Sequence, residues 1–283
     1  MRRNRMARPR APCQSRPAME RTPVIAVREA GVLTLMLNRP QRLNAMNPAL
    51  IEAVNHELRR TRDDHDIRAV LLSGIGRGFS AGADLADGGP GETGADGARD
   101  VGAALEKLFN PMIRAIRSLP KPVVAAVNGV AAGGGANLAL ACDIVLAARS
   151  ARFDQAFVRI SLMPDLGGTW FLPHIVGDAR ARALAMLGSS VPAEEAERMG
   201  MVWQVLDDAM LIGEAKKLAQ RLAAGPTLSY AAIKKALNAA ATNTLDQQLD
   251  LERDSQRALG RSDDFREGVA AFLAKRAPTF VGR

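Results

Sequence analysis

Apolar residues in the first part of the chain alternate with polar ones or run together in short stretches, as they do in strands. Two such stretches, Val24 to Val27 and Val32 to Leu37, flank Ala30-Gly31 and predict a β-hairpin. Asn47-Pro48 then marks the start of a helix, with asparagine as the N-cap and proline in the first helical position. The apolar stripe of this helix consists of Leu50, Ile51, Val54 and Leu58.

The order of strand, strand and helix recurs further along the chain. Strands are predicted at Ile67 to Gly74, Pro122 to Val127, Ile144 to Ala148 and Val202 to Leu206. This recurrence predicts an α/β fold, a wound core of ββα units, over residues 19–207. Residues 208–283 are predicted to be a helical region, with helices at Ala209 to Ala223, Thr227 to Ala241, Leu245 to Leu259 and Asp263 to Arg276.

Two turns of small residues stand out against these elements. Asn128 to Gly135 follows the Pro122 to Val127 strand, and an apolar helix opens at its glycines, so backbone amides without helical partners would favour an anion there. No GxxxxGK[ST] pattern is present, so this anion need not be a phosphate and an oxyanion formed during a reaction also fits. The other turn of small residues is Phe79 to Leu85, which comes earlier in the chain, and one amide from each turn could bind one oxygen. The alternative is that the glycines only permit tight turns.

Composition and charge narrow the class of protein. The 283 residues are 47% hydrophobic, as expected for a globular, enzyme-sized chain. The net charge of +8 invites a nucleic-acid interpretation, but the first 21 residues hold seven arginines against one glutamate and the remainder is nearly neutral. Residues 1–18 are predicted to be a disordered basic tail, such as an upstream start codon would add before Met19. A mitochondrial transit peptide is the alternative, although three prolines interrupt its helix.

Other function classes find little support in the sequence. No apolar run has secretory or transmembrane length, and Cys13 and Cys142 offer no disulfide framework, so a soluble cytoplasmic protein is expected. The three histidines lack metal-ligand spacing, so no metal site is expected. RNA binding through the basic tail stays open as an alternative. A nicotinamide-dependent dehydrogenase is weaker still, because Gly74, Gly76 and Gly78 do not form the GxGxxG pattern.

Three segments together carry a resemblance to a known family. They are FSAGADL from Phe79, NGVAAGGGANLALACD from Asn128 and MPDLGGT from Met163. The chain resembles the enoyl-CoA hydratase/isomerase (crotonase) superfamily from about Thr22 to Gly282. The resemblance implies a ClpP-like crotonase spiral, an acyl-CoA thioester as substrate, no cofactor apart from the coenzyme A of the substrate, and a homotrimer or hexamer packed through the C-terminal helices.

The resemblance also implies where the substrate binds. The thioester oxygen would accept hydrogen bonds from the amides of Ala83 and Gly134. Coenzyme A would lie along the backbone of Ala81 to Leu85, including Gly82 and Asp84, beside Arg42 and Leu43. Phe272 and Lys275 of the last helix would complete its site, with the lysine near the ribose phosphate. Lys275 fits an ordinary surface charge equally well.

The acid/base residues depart from the hydratase pattern. Typical hydratases carry two glutamates, which would fall at Asn137 and Phe157 of this chain. An amide cannot take up a proton at neutral pH and a phenyl ring cannot hold water, so hydration by two carboxylates is not expected. Asn137 is left open between a substrate contact and a residue that fills a polar corner. A hydratase with a non-standard base is the alternative function.

One aspartate stands where the isomerase branch of the family has its proton shuttle. The segment FVRISLMPDLGGTWFLP resembles the 1,2-epoxyphenylacetyl-CoA isomerases and the Δ3,Δ2-enoyl-CoA isomerases, in which a single aspartate at the position of Asp165 moves a proton. The alternative is that Asp165 only caps the helix that follows. If Asp165 is catalytic, its apolar neighbours should raise its pKa. The expected neighbours are Leu162, Met163, Leu166, Trp170 and Phe157.

Overall fold

The structure is a computed structural model that describes residues 22–86 and 89–283. The predicted basic tail, residues 1–18, lies outside the described residues. Ten strands are present in the described part of the chain: β1 (Val24–Glu29), β2 (Val32–Leu37), β3 (Ala69–Gly74), β4 (Gly78–Ser80), β5 (Val123–Val127), β6 (Val130–Ala132), β7 (Ile144–Ala148), β8 (Arg152–Asp154), β9 (Ser190–Pro192) and β10 (Gln204–Leu206).

Helices alternate with these strands and then follow one another to the C-terminus. They are α1 (Pro48–Asp63), α2 (Val101–Ala104), α3 (Asn110–Ser118), α4 (Gly134–Leu140), α5 (Gly168–Val176), α6 (Asp178–Leu187), α7 (Ala193–Arg198), α8 (Leu211–Ala223), α9 (Thr227–Ala240), α10 (Leu245–Leu259) and α11 (Asp263–Leu273). A π-helical segment, Leu105–Phe109, joins α2 to α3, and 3-10 turns lie at Pro40–Arg42 and Ala156–Ile160. None of the helices within residues 22–86 and 89–283 has the length and apolar character needed to cross a membrane.

Two sheets form the core. The larger has the strand order β1-β2-β3-β5-β7-β10, and all its pairs are parallel except the β1-β2 hairpin. The smaller has the order β4-β6-β8-β9 and is parallel up to β8. Strands β3 and β5 are buried along their whole length, as expected for parallel strands covered on both faces. The predicted wound α/β arrangement is therefore confirmed.

The local signals at the start of the fold work as the sequence indicated. Ala30 and Gly31 both have positive φ, 49° and 75°, which is the backbone of a tight turn that matches the twist of a hairpin. Asn47 caps α1 by accepting a hydrogen bond from the Leu50 amide over 3.0 Å. The apolar stripe of α1, Leu50, Ile51, Val54 and Leu58, is buried against the sheet.

The glycine-rich turn is more ordered than the sequence indicated. Residues 128–135 were predicted to form one continuous turn, but Val130–Ala132 are the strand β6, which pairs with β4 and β8. Gly129 permits this pairing, since a Cβ there would lie 2.3 Å from the Arg77 main-chain oxygen. The prediction was wrong because three small residues show too little periodicity to be distinguished from a turn.

Three of the four C-terminal helices begin at their predicted residues, whereas α8 begins at Leu211, two residues after the predicted Ala209. Thr244 and Gln247 form a capping box at α10, and Ser262 caps α11 by accepting from the Phe265 amide over 3.0 Å. Helix α11 ends at Leu273, three residues before the predicted end. Its apolar face is exposed in the single chain, with Phe265 53% and Phe272 82% accessible to solvent.

An ion pair joins this helical region to the sheet. Asp143 Oδ2 accepts hydrogen bonds from the Val123 amide over 2.8 Å and from Lys234 Nζ over 2.7 Å. Lys234 is only 8% exposed, and its burial lowers the pKa of its ammonium group while Asp143 raises it. Asp143 thus ties α9 to the first residue of β5, rather than only anchoring the strand β7 that follows it.

We expect Asp143→Ala to lower the free energy of unfolding by about 3 kcal/mol or more, because it leaves the buried Lys234 ammonium without its counter-charge. Urea denaturation measures this loss. Asp178→Ala is the control, since Asp178 pairs with Arg182 over the same 2.7 Å but both side chains are about two-thirds exposed; its cost should stay below about 1 kcal/mol. Equal losses of unfolding free energy in the two variants would show that burial does not increase the contribution of the Asp143–Lys234 ion pair.

Candidate active site

The two small-residue turns lie against each other. Gly82 has φ of 87°, and a Cβ on it would lie 2.8 Å from the Ala132 main-chain oxygen and 3.3 Å from the Gly134 nitrogen. On the other side, a Cβ on Gly135 would lie 2.2 Å from the Ser80 oxygen. Only residues without side chains permit this approach. The sequence expectation that these turns meet is thus fulfilled at main-chain contact distance.

Main-chain hydrogen bonds hold the first turn, Ala81 to Asp84, to the segment before α1. The Ala81 amide donates to Leu43 O over 2.9 Å, and the Asp84 amide donates to Met46 O over 3.0 Å. In return the Met46 amide donates to Gly82 O over 2.7 Å. The amide of Ala83, between these bonds, donates to no residue that the structure describes.

The second turn leaves another amide in a similar state. The Gly133 amide donates to Asp154 O over 2.8 Å, which fixes the turn to the end of β8. Gly134 is the first residue of α4, so its amide has no partner within the helix, and it bonds to no other described residue. A Cβ on Gly134 would lie 3.1 Å from the Met46 side chain and 3.3 Å from Leu166. Each turn therefore contains one amide, that of Ala83 or of Gly134, that donates to no described residue.

The side chain of Asp84 links the first turn to Arg39. Its Oδ2 lies 2.7 Å from Arg39 Nη1, and the two side chains are 5% and 15% exposed. This buried ion pair connects the turn to the residue that precedes the first 3-10 turn. The side chain of Asp84 thus helps to orient the turn.

Asp165 lies in the loop between the 3-10 turn Ala156–Ile160 and α5. Its main-chain oxygen accepts hydrogen bonds from Asn137 Nδ2 and from the Gly168 amide, both over 2.8 Å. Its carboxyl oxygen Oδ1 is buried and meets no donor among the described residues. Burial raises the pKa of Asp165 from 3.8 to about 6, which a hydrogen bond from its own backbone amide partly offsets.

The alternative role of Asp165 as a helix cap is wrong. Helix α5 begins at Gly168 with Gly167 as its N-cap, and no described side chain caps it. Gly167 has φ of 79°, a conformation in which the main chain turns into the helix without such a cap. The pKa of Asp165 is raised, as expected for a catalytic carboxyl, and its side chain does not cap α5.

The apolar surroundings of Asp165 are fewer than expected. Phe157 and Leu166 are 7% and 2% exposed, and both pack on the second turn, since a Cβ on Gly133 would lie 3.7 Å from the Phe157 ring. Met163 is 69% exposed, and Leu162 and Trp170 are each 39% exposed. Met163 therefore adds little to the burial of the carboxyl, because its side chain points into solvent from the surface of the loop.

Asn137 is fully buried between this loop and β8. Its Nδ2 donates to Asp165 O, and its Oδ1 accepts from Gln155 Nε2 over 2.9 Å. These are the contacts of a polar corner, one of the two roles that the sequence left open. Gln155 was not among the sequence candidates. The only signal for it is a polar residue in the otherwise apolar stretch after β8.

The residues expected around coenzyme A are only partly gathered in one chain. Leu43 contacts the first turn through its main-chain oxygen, and Arg42 and Leu85 are exposed beside it. Phe272 lines a groove of α9, α10 and α11 residues, and the described residues of this groove include none from the two turns. Lys275 is exposed just after α11. The roles of Phe272 and Lys275 stay predictions.

A narrow cavity beside Asp84 is lined partly by residues that the sequence analysis did not assign to the site. Leu108 and Phe109 of the π-helical segment line it, together with Met46 and Ile51. No pattern in the sequence distinguishes a π-helical segment from an ordinary helix, so these side chains could not be assigned in advance. In the described residues no three His, Cys, Asp or Glu side chains cluster as metal ligands would.

Comparison with known proteins agrees with this geometry. Residues 27–283 match the family model described as enoyl-CoA hydratase/isomerase. The chain is 54% identical over 255 residues to the 1,2-epoxyphenylacetyl-CoA isomerase of Escherichia coli K12, covering 90% of this chain and 97% of that protein. It is 48% identical over 253 residues to a probable enoyl-CoA hydratase of Rhodobacter capsulatus, covering 89% and 95%.

Solved structures show the same architecture. The crystal structure of an enoyl-CoA hydratase from Polaromonas sp. JS666 superposes with a TM-score of 0.85 at 36% identity, over 91% of this chain and 99% of that one. This chain therefore belongs to the enoyl-CoA hydratase/isomerase family and has the crotonase fold. The predicted fold and family are both confirmed.

We expect Asp165→Asn to stabilise the protein at neutral pH. The folded pKa of about 6 exceeds the ordinary 3.8, so the wild type loses stability as pH rises from about 4 to about 6 and its buried carboxyl ionises. The variant should be more stable by up to about 3 kcal/mol above pH 7 and equal to the wild type below pH 4. Denaturant unfolding at several pH values measures this difference. A difference that does not change with pH would show that Asp165 titrates normally.

Proposed function

We propose that this enzyme isomerises an acyl-CoA thioester, with Asp165 as the proton shuttle and the amides of Ala83 and Gly134 as an oxyanion hole. The observation that carries the proposal is the state of Asp165: a half-buried side chain with one fully buried carboxyl oxygen and a pKa of about 6, in the loop whose Leu166 packs near Gly134. The positions of the two hydratase glutamates hold Asn137 and Phe157, neither of which can exchange a proton in the working range.

The chemistry needs only one carboxylate. The thioester oxygen accepts hydrogen bonds from the two amides, which stabilise the negative charge that develops when a proton leaves the neighbouring carbon. Asp165 takes that proton as a carboxylate, the enolate electrons shift the double bond or open an epoxide, and Asp165 returns the proton to another atom. A pKa of about 6 suits both steps, because the group is ionised at pH 7 and becomes a competent acid once protonated.

The relatives support the class of substrate. The Escherichia coli protein that is 54% identical is named a 1,2-epoxyphenylacetyl-CoA isomerase, so an epoxyphenylacetyl-CoA or an enoyl-CoA is the proposed substrate. Coenzyme A is then part of the substrate, and no further cofactor is proposed. A hydratase with a non-standard base is the second candidate, since the relative at 48% identity is named a probable enoyl-CoA hydratase.

We also propose that the enzyme works as a cytoplasmic homotrimer or hexamer. Support comes from the exposed apolar residues of the C-terminal helices, which include Leu245, Leu249, Phe265, Val269, Phe272 and Leu273. Phe265, Val269, Phe272 and Leu273 line one groove, and an exposed apolar patch of this kind is typical of association between chains. RNA binding through the basic tail has no support in the described residues, because that tail lies outside them.

The decisive assay follows isotopes. Wild type and Asp165→Asn are offered trans-2-enoyl-CoA, trans-3-enoyl-CoA and epoxyphenylacetyl-CoA in deuterated water and in water labelled with oxygen-18. We expect isomerised product that carries deuterium but no oxygen-18, and at least about a hundredfold loss of rate in Asp165→Asn. Incorporation of oxygen-18 at carbon 3, undiminished in Asp165→Asn, would instead establish a hydratase and overturn the role of Asp165.

Gly82→Ala tests the oxyanion hole. The added methyl group would press on Ala132 O and Gly134 N and separate the two amides, so kcat should fall about a hundredfold or more. Gly177→Ala is the matched control, because Gly177 has a similar φ of 80° but a Cβ there meets nothing within 4 Å. It should lose about 1–3 kcal/mol of stability, because φ of 80° with ψ of 160° is a conformation that glycine almost alone adopts, and it should keep its kcat. A fully active Gly82→Ala enzyme would contradict the assignment.

A further inference from the structure

A chain of two buried amide side chains lies behind Asp165. Asn137 is fully buried and Gln155 is 1% exposed. Gln155 Nε2 donates to Asn137 Oδ1 over 2.9 Å, and Asn137 Nδ2 donates to Asp165 O over 2.8 Å. The bond from Gln155 determines which end of the Asn137 amide faces the loop, because an amide has a donor on one side and an acceptor on the other. The hydrogen bonds therefore run in one direction, towards Asp165.

Gly168 lies against the amide group of Asn137. A Cβ on Gly168 would lie 2.2 Å from Asn137 Nδ2, so a glycine is needed to leave that amide in place. The Gly168 amide donates to the same Asp165 oxygen over 2.8 Å. The carbonyl of Asp165 thus accepts two hydrogen bonds, one from a side chain and one from the start of α5.

The carboxyl of Asp165 is held only by its own residue. Its Oδ1 meets no donor in the described parts of the chain, and the hydrogen bond to the carboxyl comes from the Asp165 backbone amide. The direction of the carboxyl therefore depends on the Asp165 main chain, which is fixed by the two bonds to its carbonyl. Proton transfer requires the reacting atoms to be within hydrogen-bond distance, so a small displacement of this loop matters.

We propose that Asn137 is a positioning residue, which holds Asp165 by its main-chain oxygen, and that Gln155 and Gly168 act through Asn137. The proposal rests on the proposed function, in which Asp165 moves the proton. Asn137 then contacts no part of the substrate. Its amide is required as a hydrogen-bond donor, a task that the glutamate expected at this position in hydratases cannot perform when ionised.

Gly168→Ala is the main test, because it displaces the Asn137 amide and leaves every reacting group chemically unchanged. We expect kcat for isomerisation to fall about 10- to 100-fold while KM stays within about twofold of the wild type. Gly213→Ala is the matched control, since a Cβ on this glycine of α8 meets nothing within 4 Å and its kinetics should not change. A rise in KM at constant kcat would assign Asn137 to substrate binding, and unchanged kinetics would leave it no role; either result overturns the proposal.

A double-mutant cycle tests whether Asn137 and Gly168 act through the same hydrogen bond, from Asn137 Nδ2 to Asp165 O. Asn137→Asp keeps the side-chain volume but replaces the donor that faces Asp165 O. Since Gly168→Ala disrupts the same hydrogen bond, the double variant should lose no more activity than the worse single variant. Losses that multiply would show independent effects and contradict a shared route to Asp165.

The titration of Asp165 separates this proposal from the proposed function. It can be followed by NMR of protein with carbon-13 in its aspartate carboxyls, and assigned by its absence in Asp165→Asn. No charged side chain of residues 22–86 and 89–283 contributes to the raised pKa, which burial causes, so a displaced loop should move the midpoint towards the ordinary range.

The outcomes are then distinct. If Asp165→Asn stays active but Gly168→Ala shifts the midpoint, Asn137 positions the loop and the shuttle role of Asp165 is wrong. If Asp165→Asn is inactive and Gly168→Ala changes neither kcat nor the midpoint, the shuttle role stands and the positioning proposal is wrong.

Discussion

The contact between two main-chain turns is the constraint on which this structure depends. Gly82 and Gly135 face main-chain oxygens of the opposite turn at distances that leave no room for a side chain. The second sheet makes this contact possible, because β4 and β6 run in parallel and each leads directly into one of the turns. The larger sheet supplies a rigid base, with β3 and β5 buried along their whole length. The main chains of the two turns are thereby held against each other, which the proposed oxyanion hole requires, because stabilisation of a developing charge depends on donors that are in place beforehand.

The position of Asp165 depends on a different physical effect. The contact between the two turns is made by main-chain groups and requires the absence of side chains, whereas the raised pKa of Asp165 is caused by burial. Phe157 and Leu166 are buried and pack on the turn that begins α4. Burial is the cause of the raised pKa of Asp165. Destabilisation of a buried carboxyl at neutral pH is a common cost of such a site.

Much of this could be predicted from the sequence, because the relevant signals are local. The cap at Asn47, the hairpin at Ala30-Gly31 and the starts of α10 and α11 depend on a few adjacent residues, and all were found where the pattern indicated. Strand β6 was missed because its pairing partners are distant in the sequence and its residues are small. Gln155 was missed for the same reason, since its importance comes from a contact with Asn137, 18 residues away. The exposure of Met163 could not be predicted either, because the side-chain direction in an irregular loop follows no period.

The fit of Asn137 against Gly168 bears on how members of this family can diverge. Asparagine fills the space between β8 and the start of α5 so completely that its amide lies where even a methyl group on Gly168 would overlap. A glutamate at position 137 would need space for one more methylene group, and the carbonyl of Asp165 would face its negative charge. A site with two glutamates would therefore need more than one change in this chain, since Phe157 would also have to be replaced and no free space surrounds the Asn137 amide on the side of Gly168. Packing around residue 137, and not only the chemistry of its side chain, thus restricts which acid/base residues this fold can hold there.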